Sequence, residues 1–183
     1  MNSGKRLHVY DAFDVGYFLG ERSDVVTRLH QNFANANARS PELHKGFFSE
    51  TIPAQLPSQI CFAHLDCGVG PNPPLHKKNL LHVLEHLYPR MAPGGVCAFM
   101  DYNEGSFPDV HDGHPGVRMA ADEFLKDKPE KIVVLYGGQG AMAYFRMSIT
   151  KRNGRSGTEI ESTRQDAPRT HDLVETERAA RTN

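Results

Sequence analysis

The chain has 183 residues, which is enough for one compact domain and a tail. Its formal net charge of −1 excludes a general electrostatic attraction to nucleic acid or to membranes. No apolar run approaches the ~20 residues of a transmembrane helix, and the first residues contain no signal-peptide core. The three cysteines, Cys61, Cys67 and Cys97, are scattered and form no CxxC pair, which is typical of free thiols in a reducing compartment. We therefore expect a cytoplasmic protein.

Hydrophobic periodicity predicts alternating strands and helices along the first 148 residues, in the order β–α–β–β–α–β–α–β–β. The predicted strands are Leu7–Tyr10, Leu43–Phe48, Ile60–Leu65, Gly95–Met100, Ile132–Tyr136 and Ala141–Met147. The predicted helices are Ser23–Ala38, a segment between the third and fourth strands, and Val117–Lys126. The last two strands are separated only by GGQG, which predicts an antiparallel hairpin. We expect an α/β domain at residues 5–148 and a disordered polar tail at residues 149–183.

The segment Ile60–Tyr102 carries the strongest pattern in the chain. Its two apolar runs, Ile60–Leu65 and Gly95–Met100, enclose a helical pattern and are each followed by an acid, Asp66 and Asp101. A strand–helix–strand crossover makes the two strands parallel, so both acids are expected at the same C-terminal edge of the sheet. Ligands of open α/β sheets bind at that edge, and two carboxylates there supply the hard oxygen ligands that divalent cations prefer.

The amino-acid sequence of this segment is similar to that of a known family. The strand-end HLD, the run LYPRMAPGGV and the strand-end pair DY resemble the macrocin O-methyltransferase (TylF-type) family, which methylates sugar hydroxyls with S-adenosylmethionine. The resemblance extends from Leu7 to Met147 and implies a Rossmann-like class I methyltransferase fold that ends in an antiparallel hairpin. It also implies S-adenosylmethionine as cofactor, and Mg²⁺ as a further candidate.

The resemblance begins at the second strand of the family's fold. The first strand and helix, with the Gly-rich loop for the methionine end of the cofactor, have no counterpart in the sequence pattern. In the family's fold that strand lies between the strands that match Leu7–Tyr10 and Ile60–Leu65. Its loss predicts two strand edges without a neighbour inside the sheet.

Asp11 is the candidate cofactor-binding residue. It ends the first predicted strand, where Rossmann-like folds place an acid, and a carboxylate can accept two hydrogen bonds from a ribose diol. The surrounding VYDAFD resembles the strand-end signature of the family. An ordinary loop or helix-capping aspartate explains the same residue equally well.

Asp66 and Asp101 are the candidate metal ligands. By resemblance, Asp66 matches the family's strand-end magnesium ligand and Asp101 matches the second acid of an adjacent pair. Met100 stands where the first acid of that pair is expected, and a thioether is a poor substitute for an oxygen ligand. Gly68 stands where the family has the acid thought to deprotonate the sugar. Catalytic residues are therefore not assigned.

The helix between the two core strands contains two further groups of polar residues. His82, Glu85 and His86 match the pattern H-x-x-E-H of zinc helices, but the leucines of the same helix lie on the opposite side. This arrangement predicts that the histidines face water. The run His76–Lys78 opens the helix and either meets an anionic acceptor or keeps the surface soluble.

The leading functional hypothesis is S-adenosylmethionine-dependent O-methyl transfer to a hydroxyl of a sugar or glycosylated metabolite. The expected partner is then a small-molecule, sugar-containing acceptor, and we expect no nucleic-acid or membrane partner. The sequence leaves open whether the chain forms a homo-oligomer. The alternative is a truncated, catalytically silent methyltransferase-fold domain with a binding role or no independent role. The missing cofactor loop, Met100 and Gly68 favour that alternative.

Overall fold

The computed structural model describes residues 4–13, 25–67, 72–102, 115–137 and 140–149. The strands are β1 (His8–Asp11), β2 (Glu42–Lys45), β3 (Ile60–Leu65), β4 (Met91–Phe99), β5 (Val133–Gly137) and β6 (Gly140–Arg146). The helices are α1 (Val25–Asn35), α2 (Phe48–Thr51), α3 (Pro73–Leu87) and α4 (Pro115–Leu125), and a 3₁₀ turn at Tyr88–Arg90 joins α3 to β4. The α/β class and the strand order along the chain agree with the sequence analysis. The predicted tail lies outside the described residues except for its first residue.

The strands form two separate sheets. β1 and β2 pair in parallel as a two-stranded sheet, and the other four strands form a sheet in the order β3–β4–β6–β5. β3 and β4 are parallel, as the crossover predicts, whereas β6 is antiparallel to both β4 and β5. Within the described part of the chain, no strand connects β1 to β3. The predicted break inside the sheet is therefore present.

One face of the larger sheet is covered by α3 and α4. Residues of β4 and β6 on that face, including Cys97, Phe99 and Phe145, are fully buried against the leucines of α3. The opposite face is much more open: Phe62 on β3 is 60% exposed and Leu135 on β5 is 50% exposed. None of the residues of α1 is buried. The hydrophobic core therefore lies on a single side of the sheet.

Close contact between α3 and α4 depends on a glycine. A Cβ atom at Gly116 in α4 would lie 2.7 Å from the carbonyl oxygen of Pro73 and 2.8 Å from Cβ of His76 in α3. Lys77 of α3 also forms an ion pair with Glu123 of α4, with 2.6 Å between nitrogen and oxygen. These contacts hold the two helices together as one layer over the sheet.

Three local expectations are corrected by the structure. Phe47 and Phe48 do not extend β2, because a short helix begins there and the Glu50 carboxylate accepts a hydrogen bond from the Phe47 amide at 2.8 Å. His76 is not a surface residue, since it is only 1% exposed. His82 does not simply face water either: it is half-buried, and its Nε2 lies 3.3 Å from the carbonyl oxygen of Ile52.

Strand β4 begins earlier than the sequence pattern predicts. It starts at Met91 rather than Gly95, and its register with β3 shifts between Ile60 and Phe62. Gly94, at φ +75°, and Gly95, whose Cβ would approach the Cys61 carbonyl oxygen to 3.1 Å, allow this irregularity. Among the described residues, no helix is long and apolar enough to cross a membrane.

Candidate functional site

The ends of β3 and β4 bring two of the predicted site residues to one edge of the sheet. Leu65 pairs with Phe99, and the Met100 amide donates a hydrogen bond to the Leu65 carbonyl oxygen at 2.9 Å. Asp66 follows Leu65 directly, and Asp101 follows Met100. The parallel register therefore places both carboxylates beyond the same C-terminal edge, as the sequence predicts. Asp66 is exposed and Asp101 is half-buried.

The backbone at Asp101 has an unusual conformation. Its φ is +56°, in the left-handed region that residues other than glycine seldom adopt. Aspartate tolerates this region better than most residues, because its short polar side chain can hydrogen-bond locally. Asp101 therefore departs from the extended backbone of β4.

Tyr102 anchors this turn to helix α4. Its ring is buried, and its hydroxyl donates a hydrogen bond to Oδ1 of Asp122 at 2.5 Å. Arg118 completes the group: its Nε lies 3.5 Å from Oδ2 of Asp122, and its guanidinium lies 5.8 Å from the centre of the Tyr102 ring. The DY pair thus combines an acid at the sheet edge with an adjacent tyrosine that is anchored to α4. Sequence reasoning missed Arg118 and Asp122, although their i, i+4 spacing on a helix is a detectable signal.

Burial of the neighbouring cysteine fixes the chain beside Asp66. Cys67 is only 6% exposed and belongs to the hydrophobic core. Cys97 on β4 is fully buried, and burial raises the pKa of its thiol far above the ordinary value, with a further contribution from Cys67. Both thiols are therefore core groups. Gly68 lies outside the described residues.

Asp11 lies at the end of β1, in the other sheet. It is exposed, and its Oδ1 accepts a hydrogen bond from the Phe13 amide at 2.5 Å. Its carbonyl oxygen accepts a hydrogen bond from the Gly46 amide at 3.1 Å, which continues the β1–β2 pairing one residue past the end of β2. The structure therefore places Asp11 at a strand end, as predicted. It lies on a different sheet from Asp66 and Asp101.

Several of the solved structures that the chain resembles are O-methyltransferases. TomG from Streptomyces achromogenes, solved in complex with SAM, is 18% identical with a TM-score of 0.53 over 80% of this chain and 63% of TomG. NovP is 19% identical with a TM-score of 0.50, over 78% of this chain and 60% of NovP. An O-methyltransferase from Bacillus cereus in complex with SAH is 16% identical with a TM-score of 0.50, over 79% and 64%.

The chain thus spans less than two thirds of the length of these three proteins. No protein-family model matches the sequence, and no curated protein matches it. At identities below 20%, structural similarity is evidence for the fold and not for a particular reaction. The described residues have the Rossmann-like class I methyltransferase fold without its first strand and helix.

Proposed function

We propose that the chain takes part in S-adenosylmethionine-dependent transfer of a methyl group to a hydroxyl of a sugar or glycosylated metabolite. The observation that carries this proposal is the pair Asp66 and Asp101 at the ends of two adjacent parallel strands of a methyltransferase fold. The Tyr102–Asp122 hydrogen bond, which anchors the residue next to Asp101 to α4, supports it. The fold similarity to TomG, solved with SAM, supports the cofactor.

The described residues fit the ribose end of the cofactor better than its methionine end. Asp11 is exposed at a strand end, and one carboxylate oxygen already orders the following turn through the Phe13 amide. The other oxygen is the candidate acceptor for a ribose hydroxyl. Residues 14–24, 68–71 and 103–114, which precede α1, α3 and α4, lie outside the described residues, so the methionine end is judged from the sequence pattern alone, which lacks the family's Gly-rich loop.

Asp66 and Asp101 also fit a hard divalent cation such as Mg²⁺. Carboxylate oxygens are its preferred protein ligands, and Mg²⁺ commonly keeps several waters and takes only one or two carboxylates. Met100 adds no oxygen ligand to this pair. The remaining coordination positions would face the acceptor.

Methyl transfer requires alignment of two reactants and removal of the acceptor proton. S-adenosylmethionine, when bound, supplies an electrophilic methyl group, and a divalent cation would lower the pKa of the acceptor hydroxyl. In this proposal Asp11 orients the ribose, while Asp66 and Asp101 determine where the hydroxyl oxygen lies. Alignment by fixed groups contributes much of the rate enhancement in such reactions. No side chain among the described residues is assigned as the base.

A catalytically silent domain is the second candidate function. Two observations favour it: the break between the two sheets, where the family's fold has its first strand, and Met100 beside Asp101. A domain of this kind keeps the fold and loses the site. Magnesium binding separates the two candidates.

The experiment measures thermal midpoints with and without millimolar Mg²⁺ for the parent chain, Asp66→Asn and Asp101→Asn. Binding to the folded state alone raises stability by RT ln(1 + [L]/Kd), so the parent should gain and both variants should lose the gain. Asn is nearly isosteric and tolerates the left-handed backbone at position 101. Asp127→Asn, which changes an exposed acid after α4, is the matched control and should respond like the parent.

Two further substitutions, combined in one variant, test whether a metal site has been lost. Met100→Asp would add the third oxygen ligand, and Gly68→Asp would restore the acid that the family resemblance expects. If only this double variant responds to Mg²⁺, the silent-domain candidate is correct. If Mg²⁺ changes no midpoint at all, the metal-assisted mechanism is wrong.

A further inference from the structure

A second group of potential metal ligands lies on the two-stranded sheet. β1 and β2 are parallel, with His8 paired to Glu42 and Tyr10 paired to His44. Side chains alternate between faces along a strand, and paired residues of parallel strands share a face. All four side chains therefore lie on one face of this sheet. The sequence contains these residues as the alternations H-x-Y and E-x-H. Only the pairing of β1 with β2 shows that the two alternations meet on one face.

The distances within this group match those between ligands of one metal ion. His8 Nδ1 is hydrogen-bonded to His44 Nε2 at 3.0 Å and lies 3.6 Å from Glu42 Oε2, and one ligand atom from each residue lies within 4.8 Å of the others. Tetrahedral zinc with bonds of about 2.0–2.1 Å separates its ligand atoms by about 3.3–3.4 Å. Only shifts of a few tenths of an ångström are needed between the nitrogens.

The ring of His44 is already oriented for coordination through Nε2. Its other nitrogen, Nδ1, lies 2.8 Å from Oε1 of Gln55, which accepts a hydrogen bond from it. The Tyr10 ring stacks on His44 with 4.2 Å between centroids, and the Tyr10 hydroxyl donates to the Gln55 carbonyl oxygen at 2.7 Å. Metal-bound histidines typically donate their second N–H to such a partner, which fixes the tautomer and the ring orientation.

The Glu42 carboxylate has separate roles for its two oxygens. Oε1 accepts a hydrogen bond from Nη1 of Arg6 at 2.5 Å, while Oε2 faces His8. The carboxylate is thus oriented by an outer partner, with its second oxygen directed at His8.

We propose that His8, Glu42 and His44 form a binding site for Zn²⁺ or a similar transition-metal ion. Two imidazoles and one carboxylate suit zinc, whereas Mg²⁺ prefers oxygen ligands alone. The three residues are half-buried, and water or a small ligand would complete a four-coordinate site. This site lies on a different sheet from Asp66 and Asp101 and does not depend on the methyl-transfer proposal.

The test titrates Zn²⁺ into the full chain by calorimetry and compares isosteric variants. The parent should bind one Zn²⁺ at this site. Glu42→Gln and His44→Gln should each weaken binding at least tenfold, because loss of an outer-sphere partner alone typically costs 10–100-fold. Gln55→Leu should weaken zinc binding by about tenfold, because it removes the hydrogen-bond partner of His44 Nδ1. Substitution of Co²⁺ should give the visible absorption of a tetrahedral site in the parent and not in His44→Gln.

Two controls exclude other histidines. His82 and His86 form a second histidine pair on α3, with 4.9 Å between ring centroids. His86→Gln disrupts that pair and should leave zinc affinity unchanged. A double change of His111 and His114, which lie outside the described residues, should also leave it unchanged. Circular dichroism checks that each variant is folded, and His8→Asn replaces His44→Gln if the latter unfolds.

Equal zinc affinity in the parent, Glu42→Gln and the folded histidine variant would overturn the proposal. So would the absence of zinc binding by the parent at 100 μM metal, a concentration that detects Kd values up to about that level.

Discussion

Replacement of Gly116 by alanine tests the helix layer that supports the sheet. The new Cβ would approach the Pro73 carbonyl oxygen to 2.7 Å and His76 Cβ to 2.8 Å, and neither atom is the end of a flexible side chain. Forcing a methyl group into such a contact typically costs 1–3 kcal/mol. Alanine also favours the helix by up to about 1 kcal/mol over glycine. The steric cost is the larger of the two, so we expect a net loss of about 0.5–2 kcal/mol.

The assay is urea unfolding at 25 °C, followed by circular dichroism at 222 nm. Met119 supplies the matched control, because it lies on the same helix and is 45% exposed. The difference in stability between Met119→Ala and Met119→Gly measures the alanine–glycine propensity in α4 itself. Adding that difference to the loss in Gly116→Ala isolates the steric cost. A Gly116→Ala chain more stable than the parent would show that α3 and α4 separate freely, and the argument from close contact would be refuted.

Four further predictions concern the cofactor, a buried hydrogen bond, the reactivity of the thiols and the stability at alkaline pH. Calorimetry should give a Kd for S-adenosylmethionine weaker than about 100 μM, since the sequence pattern lacks the Gly-rich loop that holds its methionine end; a low-micromolar value would contradict this. Tyr88→Phe should cost about 1.5–3 kcal/mol in urea unfolding, because the Tyr88 hydroxyl donates at 2.5 Å to the buried carboxylate of Glu130, and a loss below 0.5 kcal/mol would argue against that bond. A thiol reagent should modify exposed Cys61 quickly, and Cys67 and Cys97 only on unfolding. Burial raises the pKa of Cys97, so the folded chain holds its proton longer than the unfolded chain, and stability should fall as pH rises from about 8.5 to 10. Cys97→Ala should show a smaller alkaline loss, measured as the shift in thermal midpoint.

The sequence was sufficient for the elements with strong local patterns. β3 was predicted with its observed ends, because an apolar run bounded by a proline loop and an acid has few alternatives. The parallel relation of β3 and β4, and hence the shared edge for Asp66 and Asp101, followed from the length of the crossover. The hairpin of β5 and β6 followed from its short turn. Each of these conclusions depends on neighbouring residues in the chain.

Features that depend on distant pairs required the tertiary structure. The short helix that begins at Phe48 replaced the end of the predicted strand Leu43–Phe48, because a capping interaction between Phe47 and Glu50 outweighed the apolar pattern. The burial of His76 follows from the position of α4, which the sequence of α3 does not contain. A helical period indicates which residues share a side, but it does not say which side another element covers.

The two candidate metal sites show the same division. Asp66 and Asp101 were predicted because each follows an apolar strand and one crossover relates the two strands. Two strands whose paired residues are 34 positions apart in the chain bring together His8, Glu42 and His44. No local pattern indicates which residue of β2 lies beside His8. A shift of one residue in that register would move Glu42 and His44 to the opposite face. The sequence by itself therefore determined the strands and their polar alternation, and only the tertiary pairing decided that the three ligands meet.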